Sequence, residues 1–528
     1  MSTNNAAAES RLLPTRFGLP VSERVWLLFG ILLLAWRLVS LCWTPGELIP
    51  DEAYYWDWSR QLDGGYYSKP PLVAWIIAAS TSLFGSREWS VRLPAVLLST
   101  AGLVPVFLLT RQLYSTQAAA ITVLALAATP GVTASSMFMT IDAPFLCAWC
   151  FALWTLWNLL KSPPNDWKWV LPAVVATAAG LLSKQTMFGL FPLLAFFLVL
   201  SREDRGWWRD PRLYIWTLAS LLSLTPVVWW NLQHQWLTWQ HTQDHFRATT
   251  TSPLQHLAWG GEFIASQFGV VSPLTLTLVL IVMLVGPFRW SPVPRREKFL
   301  LVFSAVPLMP VAVLSFLQRV QPNWPAAFYV TGFILLGGWV AGQISIDPQT
   351  DRWRRFWGSG VILGAALSAS LYVLPVVLPM TGWAGTKIDP TTRFRGWRAL
   401  AEAIDECRRK TPGGLPKLVI AATSRGPVSE LAFYLPDQPR VYRWNAGGRI
   451  DSQHDVWGGP SGAAGASAII VTEGLWPVDR ELVAAFATVT PLSEIRIPLG
   501  NRRFHEYAVW RGTGFRQWPK FSSSQFPH

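Results

Sequence analysis

"VWLLFGILLLAWRLVSLCW" over Val25–Trp43 is followed almost at once by "LIPDEAYYWDWSRQLDGGYYSKPPLVAW" over Leu48–Trp75. The first stretch is apolar over close to the roughly 20 residues that a helix needs to cross a bilayer. The second opens on adjacent carboxylates, Asp51 and Glu52, continues through Tyr54, Tyr55, Trp56, Trp58, Tyr66 and Tyr67, and ends on Lys69 before Pro70-Pro71. Carboxylates at a membrane boundary are costly unless hydrated or paired, so their position alone makes them functional candidates. The competing reading is a solvated loop after the first span. The company of Arg60, Lys69 and many flat rings argues against it, because aromatic faces beside a carboxylate suit a sugar.

The whole chain fits that start. Of its 528 residues, 51% are hydrophobic and only 14% charged, and the mean hydropathy is +0.28. That is too apolar for an ordinary soluble enzyme. The 32 tryptophans agree, because indole favours the headgroup boundary. The net charge of +13 is scattered over short segments between apolar runs, unlike a nucleic-acid-binding face. Cys42, Cys147 and Cys150 lie in or beside apolar spans and Cys407 in a polar region, which is no disulfide framework.

About eleven apolar spans centre on residues 25–43, 91–110, 117–133, 143–160, 169–183, 186–200, 213–230, 268–286, 299–317, 325–344 and 358–380, with the pair at 169–200 readable as re-entrant. A cytoplasmic N-terminus, residues 1–24, puts about 17 Lys and Arg in the cytoplasmic loops and about 6 in the short external ones, as the positive-inside rule asks. Residues 25–380 then form the membrane domain with external loops 44–90 and 231–267, and residues 381–528 lie outside. That last region alternates short apolar strands such as "KLVIAATS" and "ASAIIVTEG" after the amphipathic "GWRALAEAIDECRRK", the pattern of an α/β domain. The expected fold class is a mainly α, polytopic membrane protein with a C-terminal extracytoplasmic α/β domain. With no glycine-rich phosphate loop, a cytosolic nucleotide is not the expected substrate.

Further polar residues stand out against the apolar runs. Asp142 in "MTIDAPFL" begins the fourth span, where a carboxylate serves either as a helix cap or in a site. Lys184 in "LLSKQTM" lies between two apolar spans and requires an anion, for which a phosphate would serve. His234, His241, His245 and His256 share the 231–267 loop, and the i, i+4 pair His241/His245 could ligate a metal, though without the H-E-x-x-H pattern. Arg319, Gln321 and Asn323 make "QRVQPNWPAAFY" another polar constriction.

In order along the chain, "PDEAYYW", "GYYSKPPLVAW", "TIDAP", "LLSKQTM", "PVVWWNLQHQW" and "QPNWPAAFY" resemble membrane glycosyltransferases of the GT-C class. The group resembled is the bacterial protein-mannosyltransferase-like one that includes the lipid A aminoarabinose transferase. The resemblance covers about residues 25–345 and, more weakly, "GWRALAEAI" and "SELAFYLPDQPRVY" in the tail. It implies a GT-C fold in the bacterial cytoplasmic (inner) membrane, with active site and C-terminal domain facing the periplasm. The implied reaction moves a sugar from a polyprenyl-phosphate donor to a lipid, glycan or protein acceptor, usually with inversion. Asp51, with Glu52 beside it and Asp142 from the second loop, takes the catalytic positions. Lys69, Lys184 and Arg319 would hold the donor phosphate. Tyr54, Tyr55, Trp56, Tyr67, His234 and Asn323 would contact sugar or acceptor. Relatives often carry an acidic residue before the lysine that helps hold a divalent ion; here it is Ser68. No cofactor is therefore assigned, and a divalent metal ion remains the open alternative.

The chemistry needs little else. A lipid phosphate is already a competent leaving group, so one base suffices, unlike glycoside hydrolysis with its two carboxylates. Fixed cations must stabilise the charge growing on the departing phosphate. A ligase moving a whole oligosaccharide from a diphosphate lipid would need similar cations. A flippase predicts internal repeats and charges in broken helices at the midplane, and the sequence has neither.

Overall fold

The computed structural model describes residues 23–518 apart from 44–45, 245–251, 387–388, 412–417, 446, 448, 476–477 and 501–502. The expected cytoplasmic N-terminus therefore lies almost wholly outside the described residues, and so does His245 of the suggested metal pair.

The fold is mainly helical, and the apolar runs become helices of uneven length. Among the described residues, five are long and apolar enough to cross a membrane: Glu23–Cys42, Glu88–Leu113, Asp142–Lys161, Arg295–Ser315 and Thr350–Met380. Three further pairs bend at short breaks, by 64° between Thr116–Ala127 and Pro130–Met137, by 40° between Pro211–Leu222 and Thr225–Gln233, and by 105° between Pro253–Val271 and Pro273–Arg289. Counting each pair as one span gives up to eight. Proline at or next to the start of the second helix forces each break, since it cannot donate to the preceding turn and fits the first positions of a new helix. Val170–Leu181 and Leu190–Leu200 have only 12 and 11 residues, about 18 Å of rise or less against a hydrocarbon core of about 30 Å. The segment read as an external loop at 231–267 is largely helical: Leu237–Asp244 and the start of Pro253–Val271 fall within it.

The C-terminal region holds a five-stranded sheet of β1 (Val419–Ala422), β2 (Val441–Arg443), β3 (Ala468–Glu473), β4 (Thr488–Gly500) and β5 (Arg503–Thr513), in the order β2-β1-β3-β5-β4. β1 pairs in parallel with β2 and β3, while β5 pairs antiparallel with β3 and β4. The helix Arg425–Tyr434 crosses from β1 to β2. One apolar core joins this domain to the first polar loop: Leu48, Ala53, Trp56, Trp58 and Ile77 share it with Trp397, Leu431, Phe433 and Val471. Polar bonds reinforce the joint. Tyr54 Oη accepts from the Gln453 N–H at 2.6 Å, Tyr434 Oη accepts from the Leu48 N–H at 2.7 Å, and His454 Nε2 lies 3.1 Å from Asp57 Oδ2. The tail is thus packed onto the Asp51 helix, which fixes what that helix can face.

Candidate active site

Asp51 and Glu52 start the helix Pro50–Ser59, where Pro50 suits the first helical turn and carboxylates oppose the positive helix end. Neighbouring residues on a helix point about 100° apart, so the two acids part company. Glu52 turns inward and is fully buried. It binds Arg92 Nη2 at 2.8 Å and Arg92 Nε at 3.0 Å, and also accepts from the Met139 N–H at 2.9 Å and the Ile49 N–H at 3.1 Å. The structure places Glu52, expected among the catalytic residues, in a buried clamp that holds the first loop to the helix Glu88–Ala101. Asp51 turns outward and accepts from Arg425 Nη2 at 2.8 Å, with that guanidinium 4.8 Å over the Tyr54 ring.

Lys69 occupies the turn before Leu72–Phe84. Two bonds dock this turn on the break that carries Lys184: Leu72 N–H donates to Leu182 O at 2.9 Å, and the Gln185 amide donates to Ser68 O at 3.2 Å. Lys184 in turn donates to Asp142 Oδ1 at 2.7 Å, while Asn323 Nδ2 donates to Asp142 Oδ2 at 2.6 Å. Asp142 therefore ties two distant loops together and does not cap its own helix. The Lys69 ammonium has no hydrogen-bonding partner among the described residues. Burial above all, then Lys184, pushes it from 10.5 down to about 8 against the opposing fields of Asp142 and Asp51, with Arg425 adding to the depression. Those five charges form one electrostatic cluster with a single uncommitted cation.

Below Asp142 and Asn323 an apolar cavity of about 350 Å³ runs inward between Leu98, Val106, Phe138, Leu146, Tyr329 and Phe333, with Cys147 and Cys150 in its wall. A polar mouth over an apolar slot can hold an amphiphile by its head.

Several expected contacts lie elsewhere. Tyr54 and Trp56 are each 1% exposed and belong to the joint with the tail, Trp56 against Phe433 at 4.9 Å, so neither offers a free face to a sugar. Tyr55 shares its electrostatic surroundings with Asp51, Arg425 and Asp142 and remains beside the cluster. Tyr67 packs on His241 at 4.8 Å. His234 stacks on Trp230 at 4.1 Å with Nδ1 2.8 Å from Trp230 O, which makes it a helix-end packing residue. Arg319 pairs at 2.5 Å with Glu262, both more than half exposed, and its charge is spent there. Among the described residues no three His, Cys, Asp or Glu side chains converge on a metal position, and Ser68 provides no carboxylate. The described groups therefore supply no three-ligand set for a divalent ion.

Arg425 and Arg92 were not singled out from the sequence, yet each carries a signal. Arg425 is the first residue of its helix, the end where a cation is disfavoured. Arg92 interrupts an apolar run, and a charge there requires a partner.

A family model described as dolichyl-phosphate-mannose-protein mannosyltransferase matches residues 68–230. A lipid A galacturonosyltransferase, RgtD of Rhizobium johnstonii, is 33% identical over 326 residues, 60% of this chain and 65% of that protein. A putative mannosyltransferase, YycA of Bacillus subtilis, is 31% identical over 137 residues, 25% of this chain and 20% of its own. The chain thus matches less than two thirds of the length of either curated relative. Among solved structures, ArnT from Cupriavidus metallidurans bound to undecaprenyl phosphate superposes with a TM-score of 0.62 at 18% identity, covering 93% of this chain and 98% of that one. Its apo form gives 0.60 at 16% identity, with 92% and 98% covered. The protein is a multi-pass membrane protein with the fold of ArnT, and over residues 68–230 it is similar to the dolichyl-phosphate-mannose-protein mannosyltransferases.

Proposed function

We propose that the chain is a glycosyltransferase that moves a sugar from a polyprenyl-phosphate donor to an acceptor at the outer face of the bacterial cytoplasmic membrane. The observation that carries this is the docking of the Lys69 turn onto the Lys184 break, at the polar end of an apolar cavity and beside Asp51. In this reading the donor phosphate takes the free charge of Lys69, Lys184 lies next to it, and the lipid tail follows apolar surface. Asp51 receives the proton as the acceptor oxygen bonds to the anomeric carbon. The bond from that carbon to the phosphate oxygen breaks, and polyprenyl phosphate leaves with both electrons. Attack opposite the leaving group inverts the anomeric centre. The positive-inside count supports a periplasmic site, with residues 25–380 as membrane domain and 381–528 as its outer cover. The galacturonosyltransferase relative favours a lipid acceptor over a protein.

The test is transfer from a panel of radiolabelled polyprenyl-phosphate sugars to a membrane lipid extract by the purified protein in detergent, with a chelator arm. A labelled product that depends on Asp51 supports the reading. No product from any donor, from protein shown to be folded, overturns it. Lys69→Met is expected to raise the donor KM by about 10–100-fold, the worth of one charge-assisted hydrogen bond. Because the folded value of this lysine is depressed to about 8, its positive charge is present below that pH and lost above it. Wild-type donor affinity should therefore hold from pH 6 to 7 and weaken as the pH rises past about 8, and that trend should vanish in Lys69→Met.

Arg425 holds one oxygen of Asp51 and leaves the other for the acceptor. Arg425→Gln should lower kcat by about tenfold while donor KM stays within about threefold, because partial exposure of the pair trims its worth. A parallel rise in donor KM would reassign Arg425 to the donor phosphate.

A further inference from the structure

A second pocket, of about 640 Å³, opens where the chain leaves the last apolar helix. That helix, Trp357–Val377, runs through Leu378–Met380 into a turn, and the pocket lies between this turn, Pro50 and the β4–β5 hairpin. Arg393 and Arg503 line it with Thr386, Thr392 and His505. Neither guanidinium has a hydrogen-bonded or ion-paired partner among the described residues.

The nearby acids are already committed. Asp389 accepts from Arg395, Thr391 and the Gly385 N–H, and Glu506 pairs with Arg496 at 3.3 Å. The hydroxyls cannot serve as donors either: Thr386 Oγ1 donates to Trp383 O at 2.7 Å and Thr392 Oγ1 to Asp389 O at 2.6 Å. His505 is stacked on Trp397 and bonded to the Thr392 backbone. The two guanidiniums are thus the pocket's available donors, and their forks match the oxygens of a phosphate.

The rim says where such an anion comes from. Phe504 lines the pocket from β5 and is 46% exposed, while Met380 and Trp383, in the turn that leads from the last apolar helix to the pocket, are 83% and 58% exposed, and exposed apolar side chains directly after a membrane helix belong at the headgroup level. A soluble anion has no use for them, whereas the apolar base of a lipid headgroup does.

We infer that this pocket binds the phosphate of a membrane lipid headgroup between Arg393 and Arg503. Pro50, in its wall, directly precedes Asp51, so a bound headgroup stands beside the site without occupying it.

The test is native mass spectrometry of the whole protein in detergent, titrated with phosphatidylglycerol, with a diacylglycerol of the same tails, and with inorganic phosphate. Phosphatidylglycerol should give a saturable adduct that weakens at least tenfold in Arg393→Gln/Arg503→Gln. Arg393→Lys/Arg503→Lys, which keeps both charges and loses the forks, should weaken it less than the Gln pair does, and Arg496→Gln, which removes a committed cation from the same hairpin, should stay within about threefold. The diacylglycerol and inorganic phosphate should each bind at least tenfold more weakly than phosphatidylglycerol. Equal phosphatidylglycerol binding by wild type and the double Gln variant would overturn the proposal. So would loss in the Lys variant equal to that in the Gln variant, or inorganic phosphate binding as tightly as the lipid, which would make this a free-anion site. None of these readouts depends on sugar transfer, so the proposal stands or falls apart from the function proposed above.

Discussion

Asp51→Asn is expected to lower transfer by about 10²–10⁴-fold, the usual worth of a general base, with little change in thermal midpoint or donor KM. The amide is nearly isosteric with the carboxylate and can still accept from Arg425 through its oxygen, but it cannot take a proton. The expectation of an unharmed fold rests on position: Asp51 is partly exposed and touches the tail through one ion pair across solvent-accessible surface. The assay is single-turnover transfer at saturating donor, run beside thermal unfolding in the same detergent. Wild-type rates in a folded Asp51→Asn protein would remove this residue from the chemistry and leave the cluster as a lipid-phosphate binding site without a base. A parallel collapse of rate and thermal midpoint would make Asp51 a structural residue instead.

The distinction between fold and site was only partly legible in the sequence. Lys69 and Lys184 stood out because each interrupts an apolar or aromatic context that cannot hold a bare charge. The bonds that bring them together, from Leu72 to Leu182 and from Gln185 to Ser68, join backbone and amide groups more than a hundred residues apart, and no local pattern announces such a docking. The same holds for Tyr54 and Trp56. A row of aromatics after a carboxylate reads as a sugar platform until the tail covers it, and the covering surface, Phe433 and the Gln453 backbone, lies almost 400 residues away. The spans fared differently. That the chain is built of apolar helices followed from composition, whereas which of the eleven expected spans are long enough to cross, five or up to eight among the described residues, depends on where proline breaks the backbone ladder and on how much protein, rather than lipid, surrounds each break.

The neighbouring carboxylate should give the opposite result. Glu52→Gln is expected to destabilise the protein by about 3–5 kcal/mol, the range for removing one partner of a buried ion pair, while transfer per folded molecule stays near wild type. The pair with Arg92 is 0% and 8% exposed, and the remaining carboxylate bonds go to the Met139 and Ile49 amides. A Gln side chain keeps one acceptor oxygen and turns its amide hydrogens toward Arg92 or those N–H groups, so the loss is of charge and acceptors at once. Thermal unfolding of Glu52→Gln and Arg92→Met in detergent, with transfer normalised to folded protein, measures it. The double variant Glu52→Gln/Arg92→Met should recover part of the loss, because no buried charge is then left unpaired. If Glu52→Gln instead kept its thermal midpoint and lost its rate, the inward carboxylate would be acting on the reaction, and the separation by helix phase would fail. One residue of offset on a helix is about 100° of rotation. That is enough to send Asp51 toward Arg425 and the cluster around Lys69, and Glu52 into the clamp on Arg92.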